Sequence, residues 1–81
     1  MTAQFSYYQE VVKITELYLG PAAERFINRQ IEFHLAKPPE DITKADVVKL
    51  RDSVRVALGL LINDKQTVDE AVDKFETLIK L

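Results

Sequence analysis

Apolar residues recur along the chain at intervals of three and four, the period of an α-helix, and no stretch shows the period of two that marks a half-buried strand. Four helical segments follow one another, at about 5–19, 21–36, 44–62 and 68–80, and they predict an all-α, compact four-helix bundle-like domain over 1–81, with 1–4 as a flexible N-terminus. In the first segment Tyr7, Val11, Ile14 and Tyr18 form a stripe that Tyr8, Val12 and Leu19 widen, and Leu17 falls outside it. The second places Ala23, Phe26, Ile27, Ile31 and Leu35 inward, with Ala22 and Phe33 on the flank and Glu24, Arg25, Asn28, Arg29 and Glu32 on the wet side. In the third, Val47, Leu50, Val54, Ala57 and Leu61 repeat at 3-4-3-4 spacing with Leu58 beside them, the seam of helices packed nearly parallel or antiparallel. Val56 and Leu60 lie on the opposite side. The fourth turns Val68, Ala71, Val72, Phe75, Leu78 and Ile79 inward.

The boundaries carry their own signals. Gly20-Pro21 breaks one helix and starts the next with no room for a loop, since Gly suits the left-handed residue past a helix end and Pro the first turn that follows. Lys37-Pro38-Pro39-Glu40-Asp41-Ile42 is the one real loop, because consecutive prolines remove donors and push their predecessors out of the α region. Thr43 with Asp46 three residues on predicts a capped helix start, which Ile42 can staple onto Val47. Thr67-Val68-Asp69-Glu70 has the spacing of a second capping box.

Composition then narrows the classes. With 81 residues, 47% hydrophobic and 30% charged, the chain can build one core. A domain this small buries only about two thirds of its unfolded surface, so cover from a second copy or a partner protein is expected. No cysteine is present, which excludes a disulfide framework and thiolate metal sites. Met1-Thr2-Ala3-Gln4 lacks the features of a signal peptide and no apolar run approaches about 18 residues, so a cytoplasmic protein without membrane insertion is expected. The net charge of −2 argues against bulk nucleic-acid binding on sign alone. The acidity sits in the last helix: residues 63–81 hold five acids and three bases, whereas 1–62 hold eight of each.

Candidate chemistry is sparse. There is no phosphate-binding glycine loop, no HExxH and no EF-hand loop, so neither an enzyme, a metal site nor a cofactor is expected. Asp69/Asp73 and Glu70/Lys74 have the spacing of a solvated helix face. His34-Leu35-Ala36-Lys37 has the His-x-x-Lys spacing of histidine phosphotransfer domains, in which His34 would accept the phosphoryl group and Lys37 neutralise it. Against that, helical phase sets His34 near the middle of the apolar face, where a phosphoryl group could not be solvated, and Pro38-Pro39 replace the small residue that usually follows. Its place in the last helical turn suits a structural histidine. Lys44, Arg51 and Arg55 share one flank and form an alternative basic patch for nucleic acid, but no aromatic interleaves them. The apolar outliers Leu17, Val56 and Leu60, with Tyr7 on the broad aromatic face of the first helix, are the candidate surface for a protein partner or homodimer.

Tyr18-Leu19-Gly20-Pro21-Ala22-Ala23, followed by Phe26-Ile27-Asn28-Arg29, resembles the Gly-Pro-small-Ala signature of small helical domains found beside kinase, receiver or sensor domains in bacterial signalling proteins. The resemblance implies a prokaryotic, non-catalytic accessory module that makes protein contacts, in which Gly20 and Pro21 are structural. This chain departs from that pattern in its Pro-Pro loop.

Overall fold

Ser6 opens the first helix, its hydroxyl accepting the Gln9 N–H at 3.2 Å. This N-cap satisfies one of the orphan donors of the first turn. The computed structural model describes residues 5–81, and the N-terminal segment 1–4 lies outside the described residues. Helix α1 covers Tyr7–Leu19, starting two residues later than the apolar pattern alone suggests because Ser6 is the cap.

The corner that follows is made by backbone geometry. Gly20 takes φ 59° and ψ −138°, a region essentially reserved for glycine, while its N–H still reaches the Glu16 carbonyl. Gly20–Ala22 then forms one tight 3-10 turn containing Pro21, and α2 begins at Ala23 rather than at the proline. Helix α2 covers Ala23–His34 and ends before residue 36. The N–H groups of Leu35 and Ala36 both reach the Ile31 carbonyl, at 2.8 and 3.2 Å, and Ala36 turns to φ +52°. The chain leaves the helix here, where Lys37 precedes a proline and the α region is disfavoured for it.

A second 3-10 turn, Pro39–Asp41, leads to the buried Ile42 and to α3, Lys44–Leu61. The expected capping box at Thr43 and Asp46 is present in both directions. Helix α4 covers Lys65–Ile79. Its cap corrects the expectation for Thr67: Asp64 caps through Gln66 N–H, so the helix starts three residues before Val68. Thr67 lies inside the first turn and donates its hydroxyl to Asp64 Oδ2 at 2.7 Å.

All regular structure among the described residues is helical. Helices adjacent in sequence pack on one another, most extensively α3 with α4 and α1 with α2, and α1 also lies against α4. One cluster joins Val11 and Ile27 to Val47, Leu50, Val54 and Leu58 of α3 and to Phe75 of α4. Each such side chain contributes roughly 1.5–3 kcal/mol by leaving water, so this cluster is the main stabilising term. Thr15, absent from the apolar pattern, is also buried there, because its hydroxyl is satisfied by the Val11 carbonyl at 2.7 Å.

Two inward placements are corrected at helix ends, those of Leu61 and His34. Leu61 continues the α3 seam in phase yet is exposed, and Leu58 takes the last buried seam position. His34 has the phase of the apolar face yet is exposed as the final residue of α2. Phe33, beside it, is 75% exposed. Phase decides which way a side chain points, and a neighbour must still be there to cover it.

Candidate functional site

Helix α3 is buried along one stripe and bare along the opposite one. Four residues at helical spacing, Val47, Leu50, Val54 and Leu58, are withdrawn from solvent. On the far side Val56 and Leu60 stand one turn apart, 67% and 84% exposed, beyond the charged Lys49 and Asp52 of the same face. Nothing in the helix itself requires large aliphatic residues there, since polar residues of equal helix propensity would serve.

Leu61, also exposed, ends α3 about 100° round the helix from Leu60. It lines a groove of about 590 Å³ with Leu19, Ala22 and Phe26, whose rim is formed by Arg25 and Arg29. The tight turn after Gly20 places Ala22 and the first turn of α2 beside the C-terminus of α3. Phe33, two turns on from Phe26 along α2, is exposed, whereas Phe26 is half-buried against the core. Leu61 and Phe33 were not singled out as surface by sequence reasoning, because the first fits a seam and the second a flank.

The other two candidate contact residues lie on α1. Leu17 is 68% exposed. Tyr7 is half-buried against the core, edge-on to Phe5 with ring centroids 4.7 Å apart. Ten residues of helix separate the two, roughly 15 Å along the axis, so they do not share a single small contact point.

The basic candidates are largely engaged. The Lys44 ammonium donates to the Leu81 carbonyl at 2.7 Å, and Arg51 reaches Asp52 at 3.2 Å and Glu76 at 3.6 Å. Arg55 is exposed and has no carboxylate within 4.0 Å among the described residues. Exposure of His34 removes the solvation objection to phosphotransfer, but Lys37 is no longer its partner one turn on. The chain has left the helix, and Lys37 Nζ donates to Asp46 Oδ2 at 2.7 Å.

That ion pair belongs to a network of donors around one buried carboxylate. Besides Lys37, the Thr43 N–H and Thr43 hydroxyl donate to Asp46 Oδ2, at 2.9 and 3.1 Å. The Lys37 hydrogen bond above all, helped by the Thr43 donors, holds the Asp46 carboxyl below its usual range and outweighs the opposing effect of burial. Asp46 therefore fastens the 37–43 loop to the start of α3. Two tyrosines tie other helices together: the Tyr8 hydroxyl donates to Asn28 Oδ1 at 2.7 Å, and the Tyr18 hydroxyl to Glu70 Oε1 at 3.1 Å. Burial is the main cause raising both phenols above their ordinary value.

Among the described residues no three His, Cys, Asp or Glu side chains cluster as metal ligands, and no helix is long and apolar enough to cross a membrane. Comparison with known proteins found no matching family model, and no similar curated protein or solved structure.

Proposed function

We propose that the chain is a four-helix bundle-like, non-catalytic interaction module that docks a protein through the C-terminal half of α3. The observation that carries this reading is the pair Val56 and Leu60, two aliphatic side chains one turn apart and largely in water, at the end of α3 where Leu61 lines the groove beside Phe26. Apolar area left in water is worth roughly 25 cal/mol per Å² when a partner covers it, and large apolar patches of this kind mark interaction sites. The resemblance of Tyr18–Ala23 to the Gly-Pro signature adds bacterial signalling as the setting. The His34 reading is weaker because Lys37 is committed to Asp46, and the basic-patch reading because Lys44 and Arg51 are already bonded.

The test is a comparison of the wild-type chain with a Val56→Lys/Leu60→Lys variant. Light scattering should show either self-association or a monomer, and quantitative capture from the native host should enrich one protein or the chain's own copies. Both substitutions face water, so folding stability should stay within about 0.5 kcal/mol. Capture or self-association is expected to fall at least about tenfold, or ~1.4 kcal/mol. Equal behaviour of the two proteins would overturn the reading.

A further inference from the structure

The groove at the end of α3 combines an apolar lining with a pair of cations. Its floor is apolar, from Leu19, Phe26 and Leu61, and its remaining polar lining is Arg25 and Arg29, with no acid. The two arginines are one helical turn apart on α2 and exposed, and neither has a carboxylate within 4.0 Å among the described residues. Lys13 pairs with Glu10, Lys37 with Asp46, Arg51 with Glu76 and Lys65 with Asp69, while Arg55, also unpaired among the described residues, lies on α3 and does not line the groove. In a chain of net charge −2, the charged lining of this groove is two guanidinium groups and no carboxylate. Glu24 and Glu32 share the neighbouring depression on the wet face of α2 with the same two arginines, Glu32 one turn beyond Arg29, but they do not line the groove.

Building on the interaction reading above, we infer that this groove takes an acidic amphipathic helix of a different protein. Its apolar stripe would cover Leu19, Phe26 and Leu61, and carboxylates at i and i+4 would meet Arg25 and Arg29. The match is one of spacing: residues four apart on a helix stand about 5–6 Å from each other, as Arg25 and Arg29 do on theirs. Arginine also binds a carboxylate through two parallel N–H donors, which fixes register as well as charge. Docking an amphipathic helix in an open apolar groove is an established recognition mode. A second copy fits less well. Its bare stripe on α3 carries Val56 and Leu60 beside a single acid, Asp52, and a lysine, Lys49, and acid-rich α4 exposes no large aliphatic residue before Leu81.

The probe is a fluorescent, lactam-bridged helical peptide of about 18 residues, with leucines along one stripe and glutamates at i and i+4 beside them. Two controls replace the glutamates by lysine or the leucines by serine. Anisotropy titration of the full chain should give saturable binding to the Glu/Leu peptide, at least about tenfold tighter than to either control. An Arg25→Glu/Arg29→Glu variant, with circular dichroism confirming the fold, should lose that preference and bind the lysine peptide instead. Charge exchange of this kind is a readout that misfolding cannot produce. Equal binding of the glutamate and lysine peptides, no saturable binding, or wild-type affinity in the double variant would overturn the inference. So would self-association or DNA binding that the double variant abolishes, since either would give the arginines another occupant. Failure here with continued loss of capture in Val56→Lys/Leu60→Lys would leave the α3 surface standing and remove only this partner. Failure of both would remove the interaction reading itself.

Discussion

The two ends of α3 are built in opposite ways. At the N-terminal end Thr43 and Asp46 cap each other, Lys37 adds a third donor to the same carboxylate, and Ile42 is buried beneath the cap. At the C-terminal end the last turn has no basic residue, and the chain leaves through the extended Ile62 with Leu60 and Leu61 in water. The difference separates two uses of one helix. Polar groups and a buried aliphatic fix the first end in place, whereas the second presents apolar surface that the fold does not consume. A helix whose stability is secured at one end can afford an uncovered surface at the other.

The strongest way to break this contrast is at Asp46. Asp46→Ala removes the cap and strands the Lys37 ammonium, and it should lower stability by about 1–2 kcal/mol in chemical denaturation. Asp46→Asn keeps an acceptor for Thr43 and should be milder. The folded carboxyl is held below its unfolded value, so its contribution is fully present above roughly pH 3.9 and is lost as pH falls through the folded value. Wild-type stability should therefore decline in that acid window more steeply than that of Asp46→Asn. Parallel curves for the two proteins would mean that the Lys37 ion pair does not hold this end.

Smaller effects are expected at the two backbone positions that turn the chain at the same two ends. Gly20, at φ +59°, borders the open end, and a Cβ added there would meet no atom within 4 Å. Gly20→Ala and Gly20→Val should both lower stability by about 1 kcal/mol or more, because the strain lies in the backbone and not in a clash. Ala36, at φ +52°, borders the fastened end and carries the corresponding strain in the native protein. Ala36→Gly should raise stability by about 0.5–1 kcal/mol in the same denaturation assay. A stabilised Gly20→Ala or a destabilised Ala36→Gly would show that these turns are not held by local conformation.

Most of the fold was legible in the sequence because helical phase and capping are local. Val47, Leu50, Val54 and Phe75 point inward as their spacing demands, and Thr43 with Asp46 announces α3 through a three-residue pattern. Gly20 was legible for the same reason. What was not legible depends on which residues end a helix and what lies beyond it. Asp64 competes with Thr67 for one role, and only the Gln66 hydrogen bond distinguishes them. His34 and Leu61 have the phase of the buried face but are the last residues of their helices, so spacing gave no warning of their exposure. At the candidate site, Val56 and Leu60 follow from phase alone. The groove joining Leu61 to Phe26, Arg25 and Arg29 required the close approach of two helices far apart in sequence.

The claim that one end fastens the domain while the other binds is tested most directly by residue-resolved amide NMR of the labelled chain, titrated with the protein captured in the wild-type experiment or, for self-association, diluted through it. The account predicts that shifts and exchange protection concentrate at Val56, Leu60 and Leu61 and at the Phe26 turn of α2, with the amides of Lys37–Asp46 unchanged. Changes centred on Lys37–Asp46, with Val56–Leu61 unaffected, would contradict it.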